Sequence, residues 1–151
     1  MGHQGKMCIR ATQLHITSEL TLAHPRLDKP FELEVDASGN TMGTVLLQQQ
    51  PDSTKRPIHF LSKTFNQAQW NYDIFDHKFL AMMWGLKHSC PLLVGSPHKV
   101  IVRTDHNNLQ FWRDPQKISQ RIVREVLELA DYDIEIHHLQ GKDNGHANAL
   151  S

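Results

Sequence analysis

Phe31-Glu32-Leu33-Glu34-Val35-Asp36 sets apolar and acidic residues in strict alternation. Only an extended strand sends the first kind to one face and the second kind to the other. This segment therefore reads as a half-buried strand with Asp36 at its end, on the face away from the apolar residues. Ser38-Gly39-Asn40 is a turn signal, and Met42 to Gln49, with Val45-Leu46-Leu47 at its centre, reads as the returning strand. Arg56-Pro57 leads into a third run, Ile58-His59-Phe60-Leu61-Ser62. Three short strands on hairpin-length connections make an antiparallel start.

The period then changes to 3.6. Ile74/Phe75, Phe79, Met82/Met83 and Leu86 form one stripe from about Asp73 to His88, and Pro91 is expected to stop that helix. Val100-Ile101-Val102, running into Arg103-Thr104-Asp105, has the continuous apolar character of a central strand covered on both sides. Asp114-Pro115 reads as an N-cap with proline at the first helical position, and Ile118, Ile122, Val126 and Leu129 mark the helix expected after it. Asp133 to His137 alternates again as a strand, and Gly141 to Leu150 reads as a loop leading into a final short helix. The predicted fold class is mixed α/β in the order β-β-β-α-β-α-β-α, with residues 1–30 as an arm or lead-in and 31–151 as the folded body.

With 151 residues, 39% of them hydrophobic, the chain can bury one core and not two. Sixteen basic residues balance sixteen acidic ones, which excludes a generally basic nucleic-acid-coating protein and an acidic disordered tail. Any affinity for phosphate must come from a local patch. No apolar run approaches the roughly 18 residues of a spanning helix, and the N-terminus shows no signal-peptide core. An intracellular protein without a membrane partner, acting as a monomer, is the expectation; cytoplasm and nucleus are not distinguished. Cys8 and Cys90, far apart and in no metal spacing, read as free thiols. Among eleven histidines only His137, His138 and His146 cluster, with no further ligand to complete a zinc set.

Asp36 and Asp105 each end a strand with apolar neighbours. A first strand and a later central strand that lie side by side would bring the two carboxylates together. Such a pair repels unless a cation neutralises it.

Several ordered blocks carry a resemblance: Val35-Asp36-Ala37-Ser38, Asn71-Tyr72-Asp73-Ile74, Leu80-Ala81-Met82, Leu86-Lys87-His88, Val102-Arg103-Thr104-Asp105-His106 with Leu109, Gly141-Lys142-Asp143-Asn144 and Ala147-Asn148-Ala149-Leu150-Ser151. Over roughly residues 14–151 the chain resembles the RNase H domain of gypsy-type LTR-retrotransposon reverse transcriptases, most closely those of fungal elements. The resemblance implies an RNase H-like fold, a five-stranded mixed sheet with helices on both faces. It also implies four acids that hold two Mg²⁺ ions and hydrolyse the RNA strand of an RNA/DNA hybrid. Asp36 matches the first acid and Asp105 the third. The second position holds Lys78 and the fourth Asn148.

The nearest acid, Asp76, stands two positions back on the helix and so points about 200° away from Lys78. Asn148 offers only a neutral oxygen. The Lys78 ammonium would repel Mg²⁺ and could itself lie between Asp36 and Asp105, or it could extend to solvent. His146 falls where a related histidine assists proton transfer or product release, and it also reads as an ordinary loop residue.

Between Lys99 and Arg124 there are six basic residues and two acidic ones. Arg113, Lys117, Arg121 and Arg124, spaced 4, 4 and 3, would form one stripe on a continuous helix. That stripe is either a phosphate-tracking ridge or a solvated face. Trp70 and Trp112 could add a stacking surface.

Three functions follow. The first is a retroelement-derived protein that binds nucleic acid (hybrid or duplex, weakly) with its Mg²⁺-dependent hydrolysis lost or severely reduced. The second is a nuclease with residual activity through Asp36 and Asp105 and a single Mg²⁺ or Mn²⁺. The third is a non-catalytic structural or protein-interaction module that needs no metal.

Overall fold

A computed structural model describes residues 22–114, 116 and 118–140. The three early strands are β1 (Phe31–Ala37), β2 (Thr41–Gln49) and β3 (Lys55–Thr64), followed by helix α1 (Ile74–Leu93). Strand β4 (Val100–Thr104), the short helix α2 (Val123–Leu129) and β5 (Ile134–His138) complete the described elements, with 3-10 turns at 69–71, 107–111 and 120–122. The five strands form one sheet in the order β3-β2-β1-β4-β5. The β1–β2 and β2–β3 pairs are antiparallel, and the β1–β4 and β4–β5 pairs are parallel. Mixed α/β architecture is what the change of period along the sequence predicts.

Alternation decides the faces. Phe31, Leu33 and Val35 of β1 and Leu46 of β2 join Phe79, Met82 and Leu86 of α1 in the main core. Val45, Leu47 and Phe60 form a smaller cluster with Leu22; alternation sends them to the other face of the sheet. Each fully buried side chain of this size contributes roughly 1.5–3 kcal/mol, so the α1-covered face dominates the stability. Helix and sheet meet closely at Gly85. A Cβ there would lie 3.0 Å from Thr44 Cγ2 and 3.1 Å from Leu33 Cδ2, so only glycine lets α1 sit this low.

Helix α1 begins as the sequence predicts. Asp73 is its N-cap and accepts from the Asp76 backbone N–H at 2.8 Å. It does not stop at Pro91 but continues to Leu93. Proline there removes one hydrogen bond of the last turn, and buried Leu93 holds that turn against the core.

The second helix differs more. Asp114 does not cap a helix: its Oδ1 accepts from the Gln116 N–H at 3.0 Å in a local turn, and regular helix runs only over Val123–Leu129. Ile118 and Ile122 still reach the main core, but from outside the helix. Both described helices contribute to that one core, and the final helix expected within 141–150 lies outside the described residues.

The end of the lead-in is fastened to the sheet. Ala23 N–H donates to Pro57 O at 2.9 Å. The fully buried Gln48 side chain accepts from Arg26 N–H at 2.8 Å and donates to Arg26 O at 2.7 Å and to Lys29 O at 3.2 Å. No described helix is long and apolar enough to cross a membrane.

His59 on β3 is hydrogen-bonded to the buried Ser89 Oγ of α1 at 2.9 Å. Burial, and to a lesser extent the charge of His88, pushes its imidazole down from 6.5 to about 4. The unfolded chain takes up this proton from about pH 6.5 downward, whereas the folded chain resists it until about 4. The associated stability is fully present above pH 6.5 and is lost as pH falls toward 4, amounting to about 3 kcal/mol at ~1.4 kcal/mol per unit. Melting temperatures of the unaltered protein should therefore fall between pH 6.5 and 4 more steeply than those of His59→Gln. Parallel profiles would assign the acid sensitivity to other groups.

Candidate functional site

The site starts from the β1–β4 ladder, whose last pair is Val35 with Thr104. Asp36 is the next residue on β1, and Asp105 is the next after β4. The two aspartates therefore leave the sheet together, as the sequence predicts for neighbouring strands. Asp105 is held through its backbone: His138 Nε2 donates to its carbonyl at 3.1 Å, and the His106 N–H donates to Thr104 Oγ1 at 3.2 Å.

Lys78 stands two helical turns before Gly85, on the same sheet-facing side of α1. Its ammonium donates to Asp36 Oδ1 and lies 2.8 Å from Asp105 Oδ1. The Asp36 contact is an aligned hydrogen bond, and the Asp105 contact is a charge contact. The Lys78 and Asp36 side chains are 6% and 9% exposed and that of Asp105 29%, so solvent screens the second pair more than the first. Of the two dispositions open to Lys78, the inward one is observed. At ~4 Å and an effective dielectric near 20, each such pair attracts by about 4 kcal/mol before desolvation is subtracted.

Asp76 sits apart, as helix geometry requires. It is buried, and its Oδ2 accepts from Ser119 Oγ at 2.9 Å. Burial raises its carboxyl above the ordinary range; the Ser119 hydrogen bond and the Arg121 charge oppose that rise, while the nearby Asp73 adds to it.

His106 is a neighbour that sequence reasoning left without a role. Its Nε2 is buried without a hydrogen-bond partner among the described residues, and its ring meets Phe75 edge-on at 6.1 Å. Burial first, and the Lys78 charge second, push its imidazole down. The sequence carries only its adjacency to Asp105 as a signal.

This donor set does not suit a divalent ion. A cationic side chain already stands between the two carboxylates, and the described residues contain no group of three His, Cys, Asp or Glu placed to hold a metal. Asn148 and His146 lie outside the described residues.

The basic stripe is not brought together on one helix. Arg113 follows the 107–111 turn and lies over the Trp112 ring, 4.8 Å from its centroid. Arg121 is in the 120–122 turn and Arg124 in α2, and Lys117 lies outside the described residues. The spacing had presupposed a helix starting at Pro115. Trp112 is buried, whereas Trp70 is half exposed, with its Nε1 donating to Phe65 O at 3.0 Å.

Residues 26–132 match the family described as an RNase H-like domain found in reverse transcriptase. The chain is 33% identical over 138 residues to the Transposon Tf2-3 polyprotein of Schizosaccharomyces pombe. It is 32% identical over 136 residues to the retrovirus-related Pol polyprotein from transposon opus of Drosophila melanogaster. Each alignment covers 90% of this chain but only 10% and 13% of the respective polyproteins.

Among solved structures, a foamy viral protease-reverse transcriptase in complex with double-stranded DNA superposes with a TM-score of 0.67 at 15% identity, over 91% of this chain and 24% of that one. RNase H1 from Halobacterium salinarum gives 0.55 at 14% identity, over 81% and 92%. LC11-RNase H1 in complex with RNA/DNA hybrid gives 0.56 at 13% identity, over 80% and 91%. At these identities the likeness is one of fold. The polyprotein relatives and the family match go further, and the chain belongs to the RNase H-like domains found in reverse transcriptases of gypsy-type retrotransposons.

Proposed function

We propose that this domain binds nucleic acid, as hybrid or duplex, and that its Mg²⁺-dependent hydrolysis of RNA in a hybrid is lost or severely reduced. The observation that carries the reading is the Lys78 ammonium lodged between Asp36 and Asp105. The resemblance assigns that place to a metal held by an acid at position 78. A lysine there supplies one positive charge where the acid would have supplied a negative one, and it occupies the carboxylate oxygens that a cation would need. Asn148, at the position of the fourth acid, would remove a further charge.

Solved relatives in fold are complexed with double-stranded DNA and with RNA/DNA hybrid, and this chain keeps a local excess of basic residues between Lys99 and Arg124. Binding of this kind is weak and falls steeply with salt, because it works by counterion release.

Two experiments examine the plug. Lys78→Met leaves two carboxylates close together without a counter-charge. It should lose on the order of 3 kcal/mol at neutral pH and become newly stabilised by millimolar Mg²⁺ or Mn²⁺, read as a rise in melting temperature. A clear magnesium-dependent rise in the unaltered protein would count against the lysine occupying the site.

The second experiment restores the acids. Lys78→Glu together with Asn148→Asp should create or strongly raise Mg²⁺-dependent cleavage of the RNA strand in a labelled hybrid, while each single change does much less. Adding Asp36→Asn should abolish the gain. If the unaltered protein cleaves as fast as the repaired one and Asp36→Asn stops it, the domain is an active nuclease with a rearranged metal set.

A further inference from the structure

An aromatic stack runs from the core to the surface, and its middle member His77 is the sequence neighbour of Lys78. Phe65, buried at the end of β3, stacks on His77 with ring centroids 4.4 Å apart and planes at 20°. His77 in turn faces Tyr72 at 6.4 Å and 22°. The Arg121 guanidinium lies over the Tyr72 ring, 5.0 Å from its centroid. His77 cannot swing away, because it is buried and its Nε2 donates to Gln69 O at 2.5 Å. The segment bearing Arg121 is tied down independently, through Ser119 Oγ donating to Asp76 Oδ2 at 2.9 Å.

Arg121 differs in this from the other basic residues of its segment. Arg113 rests on the ring of its own sequence neighbour, Trp112. The Arg121–Tyr72 contact instead joins two segments that precede and follow β4 in the sequence and presets the side chain before any partner arrives. A cation–π contact uses the ring for the charge and leaves the guanidinium N–H groups uncommitted. Among the described residues no acceptor takes them, and Arg121 is exposed. Its segment is tied through Ser119 to Asp76 of α1, two residues before Lys78 and on a different side of that helix.

We propose that Arg121, resting on Tyr72, is a preset contact for a backbone phosphate of a bound nucleic-acid strand, so that the basic segment acts through one oriented arginine. The proposal rests on the nucleic-acid reading above and deepens it. A planar fork held in place suits two phosphate oxygens at once and loses little side-chain freedom on binding. Tyr72 acts through Arg121 and is a positioning residue.

The test uses the full chain and a fluorescent RNA/DNA hybrid, with affinity measured by anisotropy across a salt series. Arg121→Gln should weaken binding at low salt by about tenfold, the loss of one charge-assisted contact. It should also reduce the log–log salt slope by about 0.9, the value for one phosphate. Arg124→Gln, whose side chain has no aromatic rest among the described residues, should do much less to affinity. Tyr72→Leu should weaken binding in the otherwise unaltered protein and add nothing in the Arg121→Gln background, while Tyr72→Phe, which keeps the ring, should bind like the unaltered chain.

Unchanged affinity and slope in Arg121→Gln would overturn the proposal and leave nucleic-acid binding standing. So would a Tyr72→Leu loss of equal size in both backgrounds, because that is the signature of a structural role only. Failure of the unaltered protein to bind at any salt would overturn the nucleic-acid reading and this contact with it. If Tyr72→Leu does not fold, the surface variant Arg121→Gln and the conservative Tyr72→Phe still decide the matter.

Discussion

The parallel pairing of β1 with β4 is the constraint on which the rest of this domain turns. It places Val35 opposite Thr104 and so delivers two aspartates to one point at the end of the sheet. Such a convergence is unfavourable without a counter-charge, because like carboxylates at low exposure repel. Lys78 supplies that charge from the helix that covers the same strands. Its position is set by packing elsewhere: Gly85, two turns on, lets α1 approach β1 and β2 closely enough for a lysine to reach the carboxylates. The core and the charged cluster are thus two consequences of one helix–sheet contact.

Much of this was legible from the residues. Period-2 alternation marked β1 and β5, and turn signals and short apolar runs marked the three strands between them. The apolar stripe from Ile74/Phe75 to Leu86, running from about Asp73, marked the start and the buried side of α1. The meeting of Asp36 and Asp105 followed from their places at the ends of two neighbouring strands, while the inward lysine was one of two dispositions the residues left open. What failed did so where local signals compete with tertiary contacts. Pro91 is a strong stop in isolation, but one more turn survives because Leu93 has a buried place to go. Asp114-Pro115 looks like a helix start, yet Asp114 bonds its own turn and Ser119 bonds Asp76 on another helix. With that helix shortened, the four-residue basic stripe loses the regular spacing that suggested it. The Phe65–His77–Tyr72–Arg121 stack left no trace in the sequence, since its members come from three separate segments and from no periodic pattern.

The proposed function separates two properties that the fold family joins. Holding a strand needs positive charge on the surface and a few oriented donors. Cutting it needs negative charge in the cleft to hold metal. On that proposal the Lys78 ammonium offsets part of the negative charge of Asp36 and Asp105, while the sequence keeps its local excess of basic residues between Lys99 and Arg124. A buried ion-pair cluster is costly to break once one partner is removed, which makes such a change self-retaining: losing the lysine alone leaves a worse core than keeping it.

Gln48 carries a mechanical consequence. Its side-chain amide grips both sides of the Arg26 peptide, in effect lending the lead-in a sheet partner it lacks. Gln48 pairs with Phe31, at the opposite end of β1 from Asp36, about 17 Å away at ~3.4 Å per residue. Tension arriving along the preceding chain would load these amide bonds, and Ala23 on Pro57, before it reached the first rung of the central ladder. The lead-in would then act as a strain relief. A tug from a tethered neighbour would be absorbed at one end of the sheet and leave the charged cluster at the other end unmoved.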